Sequence, residues 1–143
     1  LRTACKVDAV IDYKNEPLQQ RIGELCPEGV NVFFDNVGGE TLEAGIAHMA
    51  DFGRIVLCGA ISGYNDVTPK PGPHNLMLLI SRRVRMQGFI VLDYLDRAGE
   101  AIDALTGWVM AGEIVFDNIP STLQRLFIGS NTGKQLLKLA DPM

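Results

Sequence analysis

The chain is poor in most of the features that announce a specialised site. It has three cysteines in 143 residues, Cys5, Cys26 and Cys58. They are widely spaced and form no Cys-x-x-Cys pair, which excludes a zinc ribbon and a thioredoxin-type redox motif. They read as reduced thiols in a cytoplasmic protein. His48 and His74 are the only histidines, and no metal-ligand spacing joins them, so no metal is expected. There is no basic excess either: 13 Lys and Arg stand against 17 Asp and Glu, a net charge of −4. A general nucleic-acid binder needs surplus cations to neutralise phosphates, so nucleic acid is not an expected partner. No apolar run approaches the ~20 residues of a membrane-spanning helix, so a membrane is not expected as one. A signal-peptide pattern is absent from Leu1-Arg2-Thr3-Ala4-Cys5, as is an initiator Met, so the chain is expected to begin inside a longer gene product.

What remains is the composition of a packed domain, 47% hydrophobic and 21% charged. The length suits about one domain. Apolar runs and helical periodicities alternate along it. Ala9-Val10-Ile11 reads as a short buried strand, and residues 16–25 as a helix with Asn15 as N-cap and Leu18, Ile22 and Leu25 on one face. Val30-Asn31-Val32-Phe33-Phe34 is a second strand. A helix over 40–50 follows, with Leu42, Ile46 and Met49 inward and Phe52-Gly53 as its stop. Ile55-Val56-Leu57-Cys58 is a third strand, 66–73 an irregular loop, 76–82 a short helix and 85–92 a fourth strand. A long helix over 98–110 turns Ile102, Leu105 and Val109 inward, with Trp108 read as core. Beyond it, Ile114-Val115-Phe116 is β-like, 121–127 helical and 135–139 a final strand.

Short apolar strands alternating with helices predict an α/β fold with a parallel sheet covered on both sides. In such sheets, ligands sit beyond the carboxyl ends of the strands. Here those ends are Asp12-Tyr13, Asp35-Asn36-Val37-Gly38-Gly39, residues 58–65 and residues 89–94. Each segment alone is ordinary turn chemistry. Four of them along one sheet edge favour a binding crevice.

Other motifs fail on inspection. Gly129-Ser130-Asn131-Thr132-Gly133-Lys134 has the wrong spacing for a phosphate loop, and Gln135 stands where a hydroxyl should hold magnesium. Ser62 lacks the flanking spacing of a nucleophile elbow. Arg82, Arg83 and Arg85 read as a solvated helix C-terminus. No Gly-x-Gly-x-x-Gly exists, so either this is not a dinucleotide site or the first strand and its turn lie upstream of Leu1.

Five segments in order carry a family resemblance. They are Asp12-Tyr13-Lys14-Asn15-Glu16, Phe34-Asp35-Asn36-Val37-Gly38-Gly39, Leu57-Cys58-Gly59-Ala60-Ile61-Ser62-Gly63-Tyr64-Asn65, Gln87-Gly88-Phe89-Ile90-Val91-Leu92-Asp93-Tyr94 and Asn131-Thr132-Gly133-Lys134. Together they resemble the zinc-independent medium-chain dehydrogenase/reductase superfamily. The branch is that of prostaglandin reductase (leukotriene B4 12-hydroxydehydrogenase) and bacterial curcumin reductase. The resemblance covers nearly the whole chain. It implies a Rossmann-type parallel sheet flanked by helices, incomplete at its N-terminus, with a C-terminal tail returning to an absent substrate domain. Residues 1–112 would then be the C-terminal part of an NADP-binding domain, and 113–143 a tail belonging to a GroES-like domain. The connection from Asp117 to Asn118 is shorter than the family's acidic one.

The resemblance also implies roles. Members are NADPH-dependent reductases of the carbon–carbon double bond of α,β-unsaturated ketones and aldehydes. The partners expected are thus NADPH, a small enone or enal, and a second copy through sheet extension at residues 85–92. Tyr13 corresponds to a Tyr reaching the 2′-phosphate, and Asn36 to an Asn beside the cofactor. Cys58, Gly59, Ala60, Ile61, Ser62, Gly63 and Tyr64 correspond to the loop lining ribose and nicotinamide. Phe89, Ile90 and Val91 correspond to the strand end flanking the nicotinamide, and Asn131 to an Asn of the tail that contacts the cofactor. Tyr64 is the candidate catalytic residue, either stabilising an enolate or packing on the ribose, and both roles stay open here. The competing readings are a non-catalytic nucleotide-binding module, a quinone reductase-type member of the same superfamily, and a different α/β enzyme such as a methyltransferase.

Overall fold

A computed structural model describes residues 7–68 and 70–114. The described residues divide into two units, one of residues 11–93 and one containing residues 7–10 and 94–114. The readings at Cys5, Pro69, Val115-Phe116, 121–127, Asn131 and 135–139 therefore lie outside the described residues.

In the larger unit, α1 (Leu18–Leu25) leads into β1 (Val30–Asp35), α2 (Gly39–Ala47), β2 (Met49–Leu57), a 3₁₀ turn at Ile61–Gly63, α3 (Met77–Ser81) and β3 (Arg85–Gly88). The strands form one parallel sheet in the order β1-β2-β3. This is the Rossmann-type arrangement expected from the alternation of strands and helices. Parallel neighbours need a crossover, and α2 and α3 supply them.

The core sits between the sheet and these helices. Ile46, Met49 and Ile55 are fully buried, with Phe33, Leu42, Leu57, Leu79 and Met86 packed against them. Helix and sheet approach closely because position 45 is glycine: a Cβ there would lie 2.4 Å from the Phe33 ring. On the opposite face of the sheet Val32 and Phe34 are exposed, and Arg54 pairs in register with Arg85 on the neighbouring strand.

Several local expectations change. Ala9-Val10-Ile11 forms no strand, since no described strand offers it a ladder. Asn15 is not an N-cap. Pro17 takes that position without a side-chain bond. Asp12 instead builds the preceding turn, accepting hydrogen bonds from the Lys14 N–H at 3.3 Å and the Asn15 amide at 2.7 Å.

The helix expected over 40–50 ends at Ala47, and Met49 opens a strand running to Leu57. Phe52-Gly53 is therefore not a helix stop but an irregularity inside β2. The register between β1 and β2 jumps there, from Val30↔Met49 to Val32↔Arg54. Phe52 adopts φ 62° and Arg83 φ 52°, conformations held by surrounding contacts. The Phe52 N–H donates to the Arg82 carbonyl at 2.8 Å, and the Arg83 guanidinium stacks 4.5 Å from the Phe52 ring centroid while pairing with Asp51.

Arg82 does more than end a helix. Its guanidinium donates to the carbonyls of Ala47 and Met49, both at 2.8 Å. It thereby satisfies the last turn of α2 and the first residue of β2. The strand expected over 85–92 stops at Gly88, and a 3₁₀ segment Val91–Arg97 follows.

In the smaller unit, α4 (Ala98–Met110) has the expected bounds. Ile102, Leu105, Trp108 and Val109 are all exposed rather than inward. The helix is amphipathic as read, but the other described residues of its unit do not cover that stripe.

Two outcomes follow for stability. Arg82→Ala should cost about 2 kcal/mol in denaturant unfolding, because it leaves two carbonyls unpaired, while Arg82→Lys should recover part of the loss. Gly45→Ala should cost about 1–3 kcal/mol despite alanine's better helix propensity, since the new methyl overlaps the Phe33 ring.

Candidate active site at the carboxyl edge of the sheet

The ends of β1 and β2 lie side by side, with Asp35 in register with Leu57. The chain must leave both strands within a few residues, so two loops meet there. Asp35 organises the first loop. Its side chain is 1% exposed. Oδ1 accepts the N–H of Val37 at 2.9 Å and of Gly38 at 3.1 Å, and Oδ2 accepts the Gly38 N–H at 3.0 Å. This is an Asx-type turn delivering the chain into α2. Gly38 carries φ 73° there, a conformation that favours glycine.

The first loop then holds the second. The Asp35 carbonyl accepts the N–H groups of Cys58 at 2.8 Å and Gly59 at 3.2 Å, and the Asn36 carbonyl accepts the Ile61 N–H at 3.2 Å. Ser62 donates to the Val37 carbonyl twice, from its N–H at 3.0 Å and its hydroxyl at 2.6 Å. The short Ile61–Gly63 turn places Tyr64 back over its own loop. The Ala60 N–H donates to the Tyr64 hydroxyl at 3.2 Å. Gly59 is glycine for want of space: a Cβ would sit 3.1 Å from the Asn36 carbonyl oxygen and 3.2 Å from the Tyr64 hydroxyl.

A cavity of about 380 Å³ opens at this junction, lined by Asp35, Gly38, Leu42, Leu57, Cys58, Gly59, Ala60 and Tyr64. The structure thus brings together Asn36 and the segment from Cys58 to Tyr64, as the sequence suggested. It does not bring Tyr13 there. Tyr13 lines a separate cavity of about 440 Å³ with Glu16, Leu18, Gln19, Glu40, Thr41, Glu43 and Ala44. Of the three carboxylates on that wall, Glu16 is paired with Arg21 at 2.9 Å and Glu43 lies 3.5 Å from His74. Phe89 extends the ladder by donating its N–H to Leu57 at 2.8 Å, but its ring lies 6.3 Å from that of Phe34 rather than in the cavity. Ile90 and Val91 are exposed and outside the lining. Asn131 is outside the described residues. The residue missed from the sequence is Asp35. An Asp three residues before a glycine, at the end of an apolar strand, was the available signal.

The cavity is lined mainly by glycine and small or apolar residues, with Asp35 and Tyr64 as its polar groups. Glycines bring backbone close, and Tyr64 offers a polar group at the rim. Phosphate has no partner in it. No Lys or Arg lines the wall.

Sequence and fold agree with a known family. A model described as zinc-binding dehydrogenase matches residues 2–107, and the chain belongs to that family. Among the described residues no three His, Cys, Asp or Glu side chains gather to hold a metal, so a zinc ion has no ligand set there. The chain is 40% identical to the YfmJ protein of Bacillus subtilis, covering 99% of this chain and 45% of that protein. It is 34% identical to the NADP⁺-dependent 2-alkenal reductase of Nicotiana tabacum, over 98% of this chain and 43% of that one. The crystal structure of CurA from Vibrio vulnificus in complex with NADPH superposes with a TM-score of 0.73 at 29% identity, covering 98% of this chain and 48% of CurA. The chain spans less than half the length of these proteins. No helix among the described residues is long and apolar enough to cross a membrane.

Gly59→Ala should displace the Tyr64 ring, because its methyl occupies space within contact of the hydroxyl. A crystal structure or Tyr64 side-chain NMR shifts of the variant would show the movement. An unmoved ring would mean that the loop is looser than its hydrogen bonds indicate.

Proposed function

We propose that this chain forms the nicotinamide-facing part of an NADPH-dependent oxidoreductase that reduces the carbon–carbon double bond of α,β-unsaturated ketones and aldehydes. The observation that carries this reading is the cavity at the carboxyl edge of the sheet, walled by Asp35, Cys58, Gly59, Ala60 and Tyr64. The kinship with a 2-alkenal reductase and with an NADPH-bound structure supports it. When bound, the cofactor supplies the hydride that adds to the β-carbon of the enone.

The protein's own groups then have definite tasks. The Tyr64 hydroxyl accepts a hydrogen bond from the Ala60 N–H, so its own hydrogen remains available to donate. Aimed at the carbonyl oxygen of the enone, it stabilises the negative charge that builds there as the double bond is reduced. A proton from solvent completes the α-carbon. Ser62 is held by Val37 and fixes the turn before Tyr64, while Asn36 sits beside the cofactor. Residues 1–112 belong to the nucleotide domain and 113–143 return to the substrate domain. The exposed β3 strand is the edge at which two copies would join their sheets.

The test is NADPH oxidation, in the presence of a simple enone, by the polypeptide as made in its own cell. Tyr64→Phe should lower kcat about tenfold to a hundredfold with little change in NADPH affinity. The isolated 143-residue chain should not turn over. Absence of turnover with every enone and quinone would overturn the assignment.

A further inference from the structure

We propose that Asp35 sets the redox preference of this nucleotide site, its buried carboxylate favouring the oxidised, positively charged nicotinamide over the reduced, neutral one. The inference rests on the nicotinamide reading of the cavity. Asp35 is the only buried polar or charged residue among the described residues. Its oxygens accept the Val37 and Gly38 N–H groups, and no cationic side chain among the described residues pairs with it. The cavity it helps to wall contains no Lys, Arg or His.

The turn uses both carboxylate oxygens, whereas an Asn would keep only Oδ1 as an acceptor for the same backbone groups. An ionised carboxylate away from water adds a desolvation cost that a neutral side chain avoids. The start of α2 offsets only part of it, since a helix terminus carries about half a unit charge. The remaining negative field reaches a cavity that opens to solvent at Cys58 and Tyr64, where it is only partly screened. Nicotinamide becomes positive when it gives up its hydride, both electrons passing to the β-carbon of the substrate. A carboxylate in the wall stabilises that state relative to the reduced one and so favours hydride donation. A residue that only shaped the loop would affect both forms alike.

The experiment measures dissociation constants for NADPH and NADP⁺ by calorimetry on the polypeptide as made in its own cell. Wild type is compared with Asp35→Asn and Cys58→Asp. The readout is the ratio of the NADPH constant to the NADP⁺ constant. Asp35→Asn should lower this ratio about five- to tenfold, the size expected of one charge at several ångströms in a partly screened site. Cys58→Asp adds a carboxylate on the exposed rim of the same cavity without touching the buried turn, and should raise the ratio severalfold. It decides the matter if Asp35→Asn does not fold. A ratio that stays constant, or equal loss of both forms, overturns the role of Asp35 and leaves the nucleotide reading intact. Wild-type protein that binds neither nucleotide overturns both.

Discussion

The carboxylate of Asp35 and the backbone turn it closes are what the rest of the site depends on. A parallel strand cannot reverse directly, so β1 must hand the chain to a helix. Asp35 takes up the Val37 and Gly38 N–H groups of that handover with its side chain, and its own carbonyl accepts two more from the loop after β2. One residue therefore ties the ends of two strands and the start of one helix. The cavity is what remains between them.

From that knot the chemistry follows in order. Val37, freed from ladder pairing, turns its carbonyl to Ser62. Ser62 fixes the short turn, and the turn brings Tyr64 back across Gly59 to the Ala60 N–H. The phenol thus reaches its place by backbone hydrogen bonds rather than by packing in a core. It is 67% exposed, which suits a group that must meet a ligand.

At the other end of the sheet the burden falls on arginines. Arg82 closes the last turn of α2, and Arg83 braces Phe52 in a left-handed conformation. These contacts absorb the jump in register within β2, so the carboxyl ends of β1 and β2 still arrive level, Asp35 beside Leu57. Irregularity at one edge is compensated there and does not reach the site.

Much of this was legible in the chain alone. Val30-Asn31-Val32-Phe33-Phe34 has the β-rich composition of a strand, and residues 98–110 have a helical period that no strand could share. The clustering of Asn36 with Cys58 to Tyr64 followed from the rule that ligands gather at strand ends. Tertiary contacts settled what periodicity leaves degenerate. Met49 lies three residues after Ile46 and so satisfies a helix face as well as a strand start; only the ladder with Val30 makes it a strand. Ile90-Val91-Leu92 reads as a strand, but a strand exists only where a neighbour accepts its hydrogen bonds, and the described ladder of β3 closes at Gly88 with the Phe89 N–H. The burial of Asp35 was invisible for the same reason. A sequence states which groups can ionise or donate, whereas solvent exposure, and with it the strength of a charge, is set by what the fold lays on top of them.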